Sequence, residues 1–304
     1  MYDILIVGGG PAGLTAAIYA TRAGKTVAVL ERAVTGGQII YSPQVDNYPA
    51  LPHVSGADFA VQLSDQVTEL GVDVLYTEVT GAERTEAGFR LTTDSGTQEC
   101  RALILAAGVQ HRKLGVAGEE ELTGRGVSYC AVCDGAFYAG KSVAVVGGGD
   151  TALQDALFLA GVCGSVTLLV RRDRFRGEAK RAEALRQKPN VDIRFRRTVE
   201  ELRQADGMLN GLVLKDQDSG ALEEFPVDGL FLAVGQEPCG GVFSGLVDVD
   251  AQGYIVAGEN GETGTPGVFA AGDCRTKEVR QLTTAVGDGA NAAVAACNYL
   301  DDHG

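Results

Sequence analysis

The run Gly8-Gly9-Gly10-Pro11-Ala12-Gly13 lies between an apolar stretch, Asp3 to Val7, and a helical pattern from Leu14 to Gly24. Few folds accommodate that order of parts: a buried strand, a turn too tight for side chains, and a helix whose N-terminus opens on the turn. Gly8 permits the turn, Gly10 lets the backbone approach a pyrophosphate at the helix N-terminus, and Gly13 lets helix and strand pack closely. The next strand, Thr26 to Leu30, ends at Glu31. A carboxylate there accepts hydrogen bonds from both ribose hydroxyls and repels a 2′-phosphate, so this dinucleotide loop suits FAD or NAD and not NADP.

The unit is repeated. The strand Ser142 to Val146 runs into Gly147-Gly148-Gly149-Asp150-Thr151-Ala152 and a helix from Leu153 to Ala160. After its second strand, Val166 to Val170, Arg171-Arg172 stands where an acid would be, with Arg174 and Arg176 beyond. Guanidinium groups pair bidentately with a 2′-phosphate, so the second loop reads as NADPH-binding. Between Arg171 and Arg203 there are twelve Lys or Arg against six Asp or Glu, out of 26 basic residues in all. Glu178, Lys180, Arg181, Glu183, Arg186 and Lys188 alternate in sign as a solvated helix face does. The functional reading therefore rests on Arg171, Arg172 and Arg176 alone.

Just ahead of the second loop stands Cys130-Ala131-Val132-Cys133-Asp134-Gly135. Two Cys separated by two residues close a small ring that opens and shuts with little backbone movement, and the thiolate is the working species. Asp134 beside them can hand a proton to a leaving thiolate. Half a zinc site or a structural disulfide would use the same pair. Cys100, Cys163, Cys239, Cys274 and Cys297 are isolated, however, and His53, His111 and His303 lie far apart, so no second ligand pair with zinc spacing exists and no metal is expected. The five lone cysteines read as small buried hydrophobes.

A chain of 304 residues, 45% hydrophobic, has material for two cores, and its 42 glycines suit nucleotide loops and tight turns. The net charge of −14 argues against a nucleic-acid partner and an anionic membrane surface. The opening Met1-Tyr2-Asp3 shows no export signature, no stretch suits a bilayer, and seven cysteines with one C-x-x-C suit a reducing compartment. A cytoplasmic protein is expected. The order of the parts predicts an α/β fold of two Rossmann-like dinucleotide-binding domains, the second inserted into the first. The boundaries fall at residues 1–114 plus 242–304 for the first domain, whose loop suits FAD or NAD, and 115–241 for the NADPH-binding domain that carries the dithiol. The linkers are rich in Gly or Pro, and Ala102 to Gly108 reads as a buried strand of the first sheet.

These residues together resemble the low-molecular-weight bacterial-type thioredoxin reductases nearly end to end. The resemblance is carried by the first glycine loop, Gly36-Gly37-Gln38, the C-A-V-C-D-G core, the second loop, Arg171-Arg172-x-x-x-Arg176, Gly272-Asp273 and Arg280-Gln281. It implies a homodimer with one FAD per subunit that reduces the disulfide of a thioredoxin with NADPH. Cys133 would face the flavin and accept electrons, Cys130 would attack the partner disulfide, and Asp134 would serve as the acid. Gly8, Gly10, Gly13, Glu31, Gln38, Asn47, Asp273 and Gln281 would hold FAD. Gly147, Gly149, Thr151, Arg171, Arg172 and Arg176 would hold NADPH. Asp273, at the end of the strand Val268 to Ala271, would reach ribityl or phosphate oxygens, or else cap a turn. A small-residue helix from about Gly287 to Leu300 would aim its positive end at the flavin pyrimidine.

Four positions depart from the family pattern: Val170 where His is common, Gln154 where Glu is, Ala107 where Thr is, and Cys239-Gly240 after Pro238 where Asn is frequent. The first two bear on NADPH binding, and none touches the dithiol. Because dithiol and nicotinamide site belong to one inserted domain yet serve one flavin, that domain is expected to rotate between two arrangements. A relative fed by another donor such as ferredoxin, a dithiol oxidase, or a redox sensor without turnover are the competing readings. The arginines speak against the first, and the chain offers no receptor or DNA-binding segment for the last.

Overall fold

The computed structural model describes residues 1–42 and 44–303. It divides into two compact units, Met1–Gln110 with Glu237–Gly304, and His111–Gln236. The first unit opens with β1 (Tyr2–Val7), α1 (Pro11–Arg22), β2 (Val27–Glu31), α2 (Gly56–Glu69) and β3 (Asp73–Tyr76), followed by β4 (Val79–Thr85), β5 (Gly88–Thr93) and β6 (Gly96–Leu105). After β7 (Val109–His111) come β8 (Val127–Ser128), α3 (Ala131–Asp134), β9 (Ser142–Val146), α4 (Asp150–Ala160), β10 (Ser165–Val170), α5 (Ala179–Arg186) and β11 (Val191–Phe195). Then follow β12 (Arg197–Ala205), β13 (Met208–Asp216), β14 (Leu222–Phe225), β15 (Gly229–Leu232) and β16 (Gln236–Pro238). β17 (Val268–Ala270) and α6 (Leu282–Asp302) complete the first unit.

The first sheet has the order β3-β2-β1-β6-β5-β4, with β17 paired to β6. β1, β2, β3, β6 and β17 are mutually parallel, whereas β4, β5 and β6 form an antiparallel meander. Successive residues of β1 serve different cores, as the strand's period of two requires. Ile4 and Ile6 pack with α1 and α6, while Leu5 and Val7 face Phe89, Phe243 and Ile255 on the other side. With both faces covered, Ile4 to Val7 of β1 read as an unbroken apolar run.

The second unit repeats the plan. Its main sheet, β11-β10-β9-β15-β8, is parallel throughout. Val143 and Val145 pack with α4, and Ala144 and Val146 pack with Leu212 and Leu214 of the antiparallel sheet β12-β13-β14. Each unit thus contains a set of parallel strands with a helix entered from a glycine turn, the Rossmann plan expected from the duplicated loop.

Helix α6 starts five residues earlier than the expected Gly287, at Leu282. Gln281 caps it and Thr284 returns the hydrogen bond to the Gln281 amide, a reciprocal box that glycine-based reading overlooks. Gly289 inside the helix has a packing reason: a Cβ there would lie 2.1 Å from the Ala12 carbonyl oxygen. α6 can therefore lie directly against α1.

Candidate active site

The dithiol segment lies where β8 gives way to α3. Cys130 and Cys133 are joined in a disulfide with their Cα atoms 5.3 Å apart. Cys130 is the N-cap of α3, and its Sγ accepts a hydrogen bond from the Cys133 amide at 3.2 Å. That N–H favours negative charge on Cys130 once the bond is open. Ser128, which is 4% exposed at the end of β8, accepts from the Cys130 amide at 3.0 Å and donates to Asp134 Oδ2 at 2.6 Å. Burial pushes the Asp134 carboxyl above the usual carboxylate range, and the Ser128 hydroxyl opposes it. Asp134 Oδ1 is buried without a hydrogen-bond partner among the described residues. Gly135 lets α4 close in, since a Cβ there would meet Phe158 at 2.9 Å and Leu159 at 3.0 Å.

Tyr129, immediately before Cys130, donates its hydroxyl to Glu119 Oε1 at 2.7 Å. Glu119 also accepts from the amides of Leu114 and Gly115, at 3.0 and 2.9 Å. His111 stacks on Tyr129 with ring centroids 4.7 Å apart, and burial lowers its pKa to about 4, so the imidazole is neutral at physiological pH.

In the same unit, Gly147 has φ 155°, and a Cβ there would sit 2.5 Å from the Ala233 carbonyl oxygen. Gly149 is the open N-cap of α4, with nothing within 4 Å of its would-be Cβ, and Thr151 is exposed in the helix's first turn. The segment after β10 folds back over this loop. Arg176 and Gly177 donate their amides to the Gly148 carbonyl at 2.7 and 3.2 Å, and Asp150 accepts from the Glu178 amide at 2.8 Å. Arg171, Arg172 and Arg176 are all exposed and form no side-chain hydrogen bond or ion pair among the described residues. Three unpaired guanidinium groups beside an open helix N-terminus suit a phosphate. Val170 is buried against Gly148, and Gln154 is exposed on α4.

The first unit holds the other cradle. Gly8 has φ 108°, and its would-be Cβ lies 2.3 Å from the Ala106 carbonyl oxygen; that of Gly13 lies 1.9 Å from the Gly8 oxygen. Gly10, the N-cap of α1, is open. Glu31 Oε2 accepts from the Gly9 amide at 2.7 Å and Oε1 from the Ala33 amide at 2.9 Å. Each oxygen keeps a lone pair for a ribose hydroxyl. A cavity lined by Gly8, Glu31, Ala107, Gln110, Cys239 and Val242 opens beside it. Gln38 donates to the Val109 carbonyl at 3.3 Å, and Asn47 donates to Gln281 at 3.1 Å, so these two residues meet across 234 positions of sequence. Asp273 lies in a 3-10 turn, Gly272–Cys274; burial raises its pKa against Lys277 and Arg280, and its Oδ1 is buried 4.0 Å from Lys277 Nζ with no hydrogen-bond partner among the described residues. The Asp273 oxygen without a hydrogen bond, the open Gly10 and the acid at Glu31 fit a bound FAD.

Sequence reasoning missed three supports. Ser128 is one and Glu119 another. The third is Asp288, which is 8% exposed and takes a bidentate bond from Arg275 at 2.6 and 2.9 Å, Lys277 at 2.9 Å and the Gly272 amide at 3.0 Å. Burial pushes Asp288 up, but the Arg275 and Lys277 hydrogen bonds prevail and hold it below the usual range. An acid inside a run of small helical residues was the available signal for Asp288.

Residues 2–289 match the pyridine nucleotide-disulphide oxidoreductase family. A thioredoxin reductase of Listeria monocytogenes is 40% identical over 302 residues, 99% of this chain and 95% of the relative. One from Bacillus subtilis is 37% identical over 304 residues, with 99% and 96% covered. The crystal structure of thioredoxin reductase from Streptococcus pyogenes agrees with a TM-score of 0.95 at 37% identity over 99% of both chains. With agreement in sequence and fold from end to end, this chain belongs to the pyridine nucleotide-disulphide oxidoreductase family.

Proposed function

We propose that the chain is a thioredoxin reductase: it binds FAD in the first unit and NADPH in the second, and reduces the disulfide of a thioredoxin through Cys130 and Cys133. One observation carries the reading. A C-x-x-C pair caps and enters a four-residue helix that ends on an acid with one buried oxygen lacking a hydrogen bond, in the same unit as a glycine loop followed by three unpaired arginines. Gly8, Gly10, Gly13, Glu31, Gln38, Asn47, Asp273 and Gln281 hold FAD, and Gly147, Gly149, Thr151, Arg171, Arg172 and Arg176 hold NADPH. Bound FAD supplies two-electron transfer between the nicotinamide and the protein disulfide.

Within the dithiol, Cys130 is the attacking sulfur because the Cys133 amide stabilises its thiolate. Its attack on the partner disulfide forms a mixed disulfide and releases one partner sulfur. Cys133 then attacks Cys130 Sγ, restoring the internal disulfide and releasing the second. Asp134, whose carboxyl burial raises above the usual carboxylate range, delivers a proton to a departing thiolate. The unit carrying both the dithiol and the NADPH loop turns between half-reactions. We further propose a homodimer in the cytoplasm; no helix among the described residues is long and apolar enough to cross a membrane.

Anaerobic titration with NADPH, and separately NADH, followed by flavin absorbance, tests the donor. Bleaching by NADPH at far lower concentration than by NADH is expected, followed by turnover with a thioredoxin. Bleaching by dithionite and by neither nucleotide would overturn the assignment of Arg171, Arg172 and Arg176.

A further inference from the structure

We infer that Ser128 is a positioning residue that decides which oxygen of Asp134 carries the catalytic proton: by occupying Oδ2, it leaves Oδ1 as the atom that protonates the departing thiolate. The inference rests on the thioredoxin reductase reading. The Ser128 hydroxyl is oriented from behind, because its oxygen accepts the Cys130 amide at 3.0 Å and its proton is thereby directed to Asp134 Oδ2 at 2.6 Å. The competing acceptor, the Cys130 carbonyl, is farther away at 3.4 Å. In a carboxylic acid the carbonyl oxygen is the better acceptor, so an oxygen already engaged by a hydroxyl proton is the carbonyl one and the acid proton sits on its twin. That twin is the orphaned Oδ1. The same serine ties the acid to the backbone of the attacking cysteine, and at 4% exposure no solvent molecule readily substitutes for it.

With Cys130 attacking as the thiolate, the site starts with one proton on Cys133 and one on Asp134 Oδ1. Asp134 passes its proton to the first departing sulfur and regains one from Cys133 as the second S–S bond forms. The second partner sulfur leaves as a thiolate and takes from solvent the proton that Cys130 released on ionising.

Other titratable groups surround Asp134. Tyr138, in the 3-10 turn Gly135–Tyr138, senses its charge, and α4, packed against α3, carries Asp150 and Asp155. The test therefore compares Ser128→Ala and Ser128→Thr, each with and without Asp155→Asn, in the FAD-loaded enzyme. Flavin bleaching by NADPH and thioredoxin turnover are followed from pH 5 to pH 9. Ser128→Ala should lower turnover about tenfold. It should also move the limb on which activity falls with rising pH to higher pH, since a bond favouring the carboxylate is gone, while leaving NADPH bleaching unchanged. Ser128→Thr, which keeps the hydroxyl, should restore both rate and limb. An unshifted limb in Ser128→Ala, or a Thr variant that behaves like Ala, overturns the inference. Absence of thioredoxin turnover in the unaltered enzyme overturns the functional reading instead.

Discussion

Asp134 owes its chemistry to two neighbours acting in opposite directions: apolar surroundings that favour the protonated form and a serine hydroxyl that favours the carboxylate. Asp134→Asn keeps the shape and removes the transferable proton. Thioredoxin turnover should fall about 100-fold or more, the usual contribution of a general acid, while NADPH still bleaches the flavin. Asp155 on α4 is a second, half-buried acid, pushed up to about 7 by desolvation alone. Its folded pKa lies above the unfolded value of about 3.9, so the folded state binds more protons between the two. The stability it contributes is complete below the unfolded value and is lost as pH rises through the folded one. Asp155→Asn should therefore raise the melting temperature at pH 8 and leave it nearly unchanged at pH 4, a difference that thermal scans at both values would read. The local residue roles differ in legibility. The dithiol stands in adjacent sequence, whereas the choice between two carboxyl oxygens depends on where a strand-end hydroxyl points.

At the scale of elements, the glycine loops work because strand, turn and helix touch with no room for a side chain. Gly13→Ala would drive a Cβ into the Gly8 carbonyl oxygen. The variant should lose bound FAD, seen as a low ratio of flavin to protein absorbance, with the second unit's NADPH site intact. The segment after β10 behaves differently, since its arginines are exposed and replaceable without packing cost. Arg172→Ala should raise the KM for NADPH about tenfold, as loss of a charge-assisted bond predicts, and leave that for NADH unchanged. Strand and helix order was readable from apolar runs and glycines. The early start of α6 was not, because its cap is a Gln whose partner Thr284 matters only once the turn has formed. Asn47 and Gln281 show the same limit: their hydrogen bond needs the sheet to bring a loop near residue 47 to the mouth of a C-terminal helix.

For the molecule as a whole, the decisive fact is connectivity. The chain leaves one unit, builds a second that contains both the dithiol and a nucleotide loop, and returns. On the proposed assignment, two chemistries carried on one unit and served by a single flavin on the other require that unit to reorient. A covalent tether between the units should therefore stop thioredoxin turnover while FAD stays bound, and reductive cleavage of the tether should restore it. The sequence by itself determined the duplicated Rossmann plan, the redox pair and the preference for a 2′-phosphate, because glycine's backbone freedom, cysteine spacing and charge act over a few neighbouring residues. The tertiary structure alone decided the rest: that Ser128 holds one oxygen of Asp134, that Glu119 ties Tyr129 to the entering chain, and that Asp288 gathers Arg275, Lys277 and Gly272. These are buried polar contacts whose strength and direction exist only after water has been excluded and distant segments have been brought within hydrogen-bond distance.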